Sequence, residues 1–101
     1  RVLLTGMEFN SAEALRLNFV QEVVPAGQCF ARAFALAERI ATQAPQAVVA
    51  TRLNVRKSVV DGMPAAVAEL LAVQQRLAKT EDAAEGRRSF VEKRPPVFTG
   101  H

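Results

Sequence analysis

The stretch Thr80-Glu-Asp-Ala-Ala-Glu-Gly-Arg-Arg-Ser-Phe-Val-Glu-Lys-Arg-Pro-Pro-Val-Phe-Thr-Gly-His101 decides how the rest of the chain is read. Thr80 is a strong helix N-cap residue, and Glu81 and Asp82 occupy the first turn, where the helix dipole favours negative charge. The double proline Pro95-Pro96 forbids continuation, so the helix ends in the basic cluster around Lys93-Arg94 and an extended tail runs to His101. Ala83, Gly86 and Phe90 recur on one face. Phe90 and Lys93 are three apart and share a helical face. A ring and an ammonium together at a helix end suit a planar, phosphorylated group.

Working outward, helices dominate. Pro64 opens a long helix whose apolar stripe is Val67, Leu70, Leu71, Gln74, Leu77 and Ala78, with Gln74 as a polar interruption. Pro45 stands at the first position of another helix, where its missing N–H costs nothing. That helix carries Val48, Val49, Leu53, Val59 and Val60, sets Arg52 and Arg56 on another face, and stops at Gly62. From Ala26 a third helix is expected, with Phe30, Ala33, Phe34, Ala37, Ile40 and Ala41 spaced as an amphipathic stripe. Upstream, Phe19-Val20-Gln21-Glu22-Val23-Val24 alternates in part and is closed by Pro25, which predicts a strand. An isolated strand needs a sheet partner. Asn10 or Ser11 caps a short helix over Ala12 to Leu17, and Asn18 suits the left-handed residue that ends it. Val2-Leu3-Leu4-Thr5 reads as a helix end or a strand, broken by Gly6.

Composition narrows the function classes. One hundred and one residues allow one small domain. Half the residues are apolar, but many are Ala, and six Phe supply all the aromatic area. The net charge is +3, and the pI is near 9.8, which raises nucleic acid as a partner. The basic residues are spread through the chain among glutamates, as on solvated helix faces, and no nucleic-acid-binding pattern accompanies them. No nucleic acid is therefore expected as a partner, and with no run of eighteen apolar residues no membrane is expected either. The single Cys29 cannot form an internal disulfide, which suits a reducing, cytoplasmic setting, and a packing role is expected for it.

Few residues offer chemistry. His101 is terminal and lacks an orienting partner, and one Cys with one distant His makes no metal site. Ser11, Ser58 and Ser89 have no base in any nucleophile motif. Glu81, Asp82 and Glu85 cluster, but helix electrostatics and pairing with Arg88 already account for them. Gly86 sits inside a helix at a cost of roughly 1 kcal/mol against Ala, which close packing of helices would explain, as would close approach of a ligand or neighbouring chain. No catalytic residue is assigned.

The resemblance enters with two strings. Glu81-Asp82, Glu85-Gly86, Phe90, Glu92-Lys93-Arg94, Pro96 and Phe98, in that spacing, resemble the C-terminus of the enoyl-CoA hydratase/isomerase (crotonase) family. Leu3-Leu4-Thr5-Gly6, Ala12-x-Ala14-Leu15 and Val20-x-x-Val23-Val24-Pro25 resemble the stretch just after that family's active-site region. The resemblance covers Leu3 to Phe98 in the expected order. It implies a mainly α fold: the helical, trimer-forming C-terminal region of a crotonase-like α/β fold, with one short strand near the N-terminus. Residues 1–25 would end the crotonase-like core and residues 26–101 would form the oligomerisation region.

By the same resemblance the parent acts on acyl-CoA thioesters, most commonly adding water across a 2-enoyl-CoA double bond. It needs no cofactor beyond coenzyme A carried on the substrate. The family's oxyanion donors and catalytic carboxylates lie upstream of the Leu-Thr-Gly string, so this chain is expected to be an inactive C-terminal portion. Phe90 would line the adenine site and Lys93 would pair with a phosphate of coenzyme A, as part of a homo-trimer or hexamer. The alternatives stand beside these: Phe90 as core with Lys93 as a solvated helix end, and the whole chain as a stand-alone helical interaction module.

Overall fold

The computed structural model describes residues 1–101. Six helices take up 65% of them and no strand is present, so the mainly α expectation holds. No helix is long and apolar enough to cross a membrane. Two compact units are formed, Arg1–Ala35 and Leu36–His101.

In the first unit, α1 is Val2–Thr5, closed by Gly6 at φ 62. Helix α2 is Ser11–Arg16, shifted by one residue at each end from the expected span. Its cap is Asn10, whose Oδ1 accepts from the Glu13 amide at 3.0 Å. Asn18, at φ 58, turns the chain left-handed, and the Phe19 amide then reaches the Ala14 carbonyl at 2.9 Å. Asn tolerates this conformation better than most residues, so the local signal was sufficient. The reversal brings Phe9 and Phe19 into a stack with centroids 5.3 Å apart.

The expected strand over Phe19–Val24 does not form. A strand gains its hydrogen bonds from a neighbour, and no other segment of the chain is extended beside this one. Val20 and Val23 stay partly exposed, and Glu22 instead holds Arg32 through its carboxylate, at 2.7 Å. Helix α3, Cys29–Ala41, begins three residues later than expected. A turn closed by the Gln28 amide on the Pro25 carbonyl, with Gly27 at φ 83, occupies Pro25 to Gln28. Along α3, Phe30 and Phe34 stack at 6.0 Å yet remain largely exposed.

The second unit is built on a helical hairpin. Helix α4 is Pro45–Val60 and α5 is Met63–Leu77, with Asp61 and Gly62 between them. Gly62 takes φ 91, a left-handed value that Gly adopts without strain. The hairpin closes on small residues, with Ala50 and Ala66 buried between the helices. Asn54 Nδ2 donates to the Ala66 carbonyl at 2.9 Å, and Lys57 bridges Asp61 and Glu69. Because alanines make the contact, the larger stripe residues Val67, Leu70 and Leu71 stay outside, although their spacing suggested a core. Helix α6, Glu81–Glu92, and the tail complete the unit.

Candidate functional site

Helix α6 starts as its sequence dictates. Thr80 Oγ1 accepts from the Ala83 amide at 3.1 Å, with Glu81 and Asp82 in the first turn. The helix ends at Lys93, which adopts φ 53 and ψ 39. From this left-handed turn the Arg94 amide reaches back to the Ser89 carbonyl at 3.1 Å. Glycine is the usual residue in such a turn. Lys93 therefore leaves the helical path, and its side chain is no longer a simple i+3 neighbour of Phe90.

The acidic residues do more than the sequence indicated. Asp82, Glu85 and Ser89 are the buried polar residues of α6, with exposures of 4%, 7% and 5%. Glu85 Oε1 accepts from Arg94 Nη1 at 2.5 Å and from the Val97 amide at 3.0 Å. Glu85 Oε2 accepts from Arg94 Nη2 at 3.0 Å and from Arg88 Nη2 at 2.7 Å. These donors, Arg94 first, hold the Glu85 carboxyl well below the usual carboxylate range. Arg94 also donates to Glu92, and its pKa is raised by both carboxylates.

Asp82 repeats the device one turn earlier. Its two oxygens accept the amides of Thr99 at 2.7 Å and Gly100 at 3.0 Å. Its own amide donates to the main-chain oxygen of His101 at 3.0 Å, and Gln46 Nε2 donates to the Gly100 carbonyl at 2.9 Å. The extended tail after Pro95-Pro96 thus doubles back along α6. It carries Phe98 onto Gly86, where a Cβ would lie 3.8 Å from the ring. A cavity of about 300 Å³ opens beside this contact, lined by Ala47, Leu77, Ala83, Gly86 and Phe98 among others. The structural role read for Glu81, Asp82 and Glu85 stands for the two buried acids, which fasten the tail as well as support the helix.

The two residues singled out for ligand contact are both at the surface. Phe90 is 84% exposed and is not part of a core within this chain. Lys93 is exposed and takes no part in any ion pair, while Arg88 and Arg94 on either side do. Cys29 is exposed, against the expected packing role, because it opens α3 instead of lying along its stripe. No cluster of His, Cys, Asp and Glu has the form of a metal site. His101 is fastened through its main chain, with no carboxylate paired to its ring.

The enoyl-CoA hydratase/isomerase family model matches residues 1–101. The chain belongs to this family. An enoyl-CoA hydratase of Mycobacterium tuberculosis, EchA19, is 36% identical over 99 residues, covering 96% of this chain and 36% of the relative. The carnitinyl-CoA dehydratase of Proteus mirabilis is 36% identical over 103 residues, covering 98% and 40%. Among solved structures, a probable enoyl-CoA hydratase/isomerase from Mycobacterium abscessus superposes with a TM-score of 0.91 at 39% identity. That match covers 97% of this chain and 38% of the other. The chain spans about two fifths of the length of the family members it matches. As an enoyl-CoA hydratase/isomerase family segment, it contributes helices, an exposed aromatic and an unpaired ammonium, with its buried carboxylates already engaged.

Proposed function

We propose that this chain is the part of an acyl-CoA hydratase or isomerase that packs subunits together and grips the adenosine end of coenzyme A. The observation that carries the reading is an exposed Phe90 followed, three residues on, by a Lys93 that no carboxylate neutralises, in a segment of a family whose named members act on coenzyme A esters. An aromatic face suits adenine, and an ammonium is a compact counter-charge for a phosphate. The parent reaction would be hydration of a 2-enoyl-CoA, with no cofactor beyond the coenzyme A of the substrate. The exposed, unpaired thiol of Cys29 is in keeping with a cytoplasmic enzyme.

The reaction itself would be performed by residues outside this segment. A general acid or base must be free to exchange a proton with substrate. Glu85 and Asp82 are committed to the tail, and Glu13, Glu22 and Glu69 pair with Arg16, Arg32 and Lys57. The bare apolar stripes support assembly: Phe30 is 79% exposed, and Phe34, Ile40, Val67 and Leu71 lie more than half open. Large exposed apolar patches mark interfaces, and a homo-trimer, alone or stacked into a hexamer, would cover them.

The test is an assay with a short 2-enoyl-CoA, followed by loss of the conjugated thioester absorbance. This chain alone should give no turnover, and the longer protein that contains it should give steady turnover. Turnover by the purified 101-residue chain, or none by the longer protein, contradicts the reading.

A further inference from the structure

Lys93 is held in a conformation that lysine does not favour. It is one of two non-glycine residues with positive φ, and the other, Asn18, belongs to a type that tolerates the left-handed region. For lysine this conformation crowds the Cβ against the following carbonyl oxygen, at a cost in free energy. Something adjacent must offset that cost. The structure points to the next residue. The Arg94 amide is bound to the Ser89 carbonyl, and its guanidinium spans both oxygens of Glu85. Glu85 is itself a fixed anchor: its side chain is only 9% exposed, and the Val97 amide reaches it from beyond the turn. Pro95 disfavours helical backbone at Arg94, so the chain must leave the helix axis here. The corner is therefore pinned before Lys93, at Arg94 and at Val97, while the Lys93 ammonium is left unpaired.

We propose that Glu85 and Arg94 are positioning residues for Lys93: their two-pronged contact holds the left-handed turn there, and so fixes the direction in which the ammonium leaves the end of the helix that carries Phe90. The proposal rests on the coenzyme A reading of Phe90 and Lys93. It assigns to Glu85, one of the two buried acids of α6, a task in ligand binding that it performs without touching ligand. A bidentate guanidinium–carboxylate contact suits this, because it fixes direction as well as distance. Lysine in place of Arg94 would keep the charge and lose the fork.

Two readouts separate this from plain helix-end stabilisation. In the 101-residue chain, Glu85→Gln should speed hydrogen exchange at the Arg94 amide by about tenfold or more, a change typical of losing one charge-assisted contact. The amides of the α4–α5 hairpin should be unaffected and report that the chain is folded. Adding Lys93→Gly should cancel most of the effect, since glycine holds the turn unaided. In the longer protein, Glu85→Gln and Arg94→Lys should weaken coenzyme A binding by about three- to tenfold when Lys93 is present, and have no further effect on Lys93→Ala.

An unchanged Arg94 amide in Glu85→Gln overturns the proposal, and so does a loosened turn with unchanged affinity. If Lys93→Ala alone leaves coenzyme A affinity untouched, the binding reading has failed, and the exchange data show separately whether the turn is clamped. Should Glu85→Gln unfold the chain, Arg94→Lys is read in its place by the same criteria.

Discussion

The Thr99 amide donates to Asp82 Oδ1 at 2.7 Å, joining residues 17 positions apart. With Gly100 on the other oxygen, one carboxylate closes the end of the tail onto the start of α6. Amide bonds to a charged acceptor contribute about 1.5–3 kcal/mol each when both are withdrawn from water. Asp82→Ala should therefore raise hydrogen exchange at Thr99 and Gly100 by at least about tenfold, and leave the Arg94 amide protected. Equal protection in the variant would mean that Gln46 and the Phe98 contact hold the tail without Asp82.

Acid should release the other fastening. The Glu85 carboxyl, faced by Arg94, the Val97 amide and Arg88, with Glu92 sharing Arg94, is depressed in the folded chain. A depressed folded pKa means that the unfolded chain binds more protons in the acid range. The stabilisation is then complete above the ordinary glutamate pKa of about 4.3 and fades as pH falls below it. Exchange of the Val97 amide, corrected for the intrinsic rate, should accelerate below pH 4, and Glu85→Gln should remove that dependence. A flat profile in the native sequence would contradict the assignment.

Gly86 gives a prediction of opposite sign. A methyl group here would meet only the Phe98 ring, at an ordinary contact distance of 3.8 Å. Helix propensity then dominates, and Gly86→Ala should stabilise the chain by about 0.5–1 kcal/mol in urea unfolding. Destabilisation would show that something approaches this face more closely than Phe98 does.

The local signals in the sequence were legible and the non-local ones were not. Asn10, Asn18, Pro45 and Thr80 each act within four residues, so caps and helix starts followed from their chemistry. The Phe19–Val24 run looked like a strand because alternation is local, but a ladder requires a partner. An extended tail is legible in the sequence but its fastening is not, since main-chain amides that seek Asp82 and Glu85 leave no mark in the side-chain sequence. The one available clue was paired acids followed by a Pro-Pro reversal, which returns the chain to the helix it has left. The spacing of Phe90 and Lys93 was plain; the left-handed turn that separates Lys93 from the helix was not, because glycine is its usual marker.

Assembly is the fourth expectation. With only Ala14, Ala50 and Ala66 as buried apolar residues, the chain buries no large side chain fully and leaves many of them exposed. It should self-associate into a closed homo-oligomer, with the trimer favoured by the resemblance to the family. Sedimentation velocity at rising concentration should show mass above the monomer; a compact monomer throughout would contradict it.

Lys93 is proposed to meet a phosphate of coenzyme A. Such a contact is remote from the reacting bond, so it should contribute binding that is equal in ground and transition states. The direct measurement is the kinetics of Lys93→Ala in the longer protein, on a coenzyme A ester and on the same acyl group carried by pantetheine. The account predicts a KM raised about five- to thirtyfold on the coenzyme A ester, with kcat little changed, an effect that shrinks in high salt. On the pantetheine ester the variant should match the native enzyme. Equal losses on both esters would contradict the account and leave Lys93 a structural helix end.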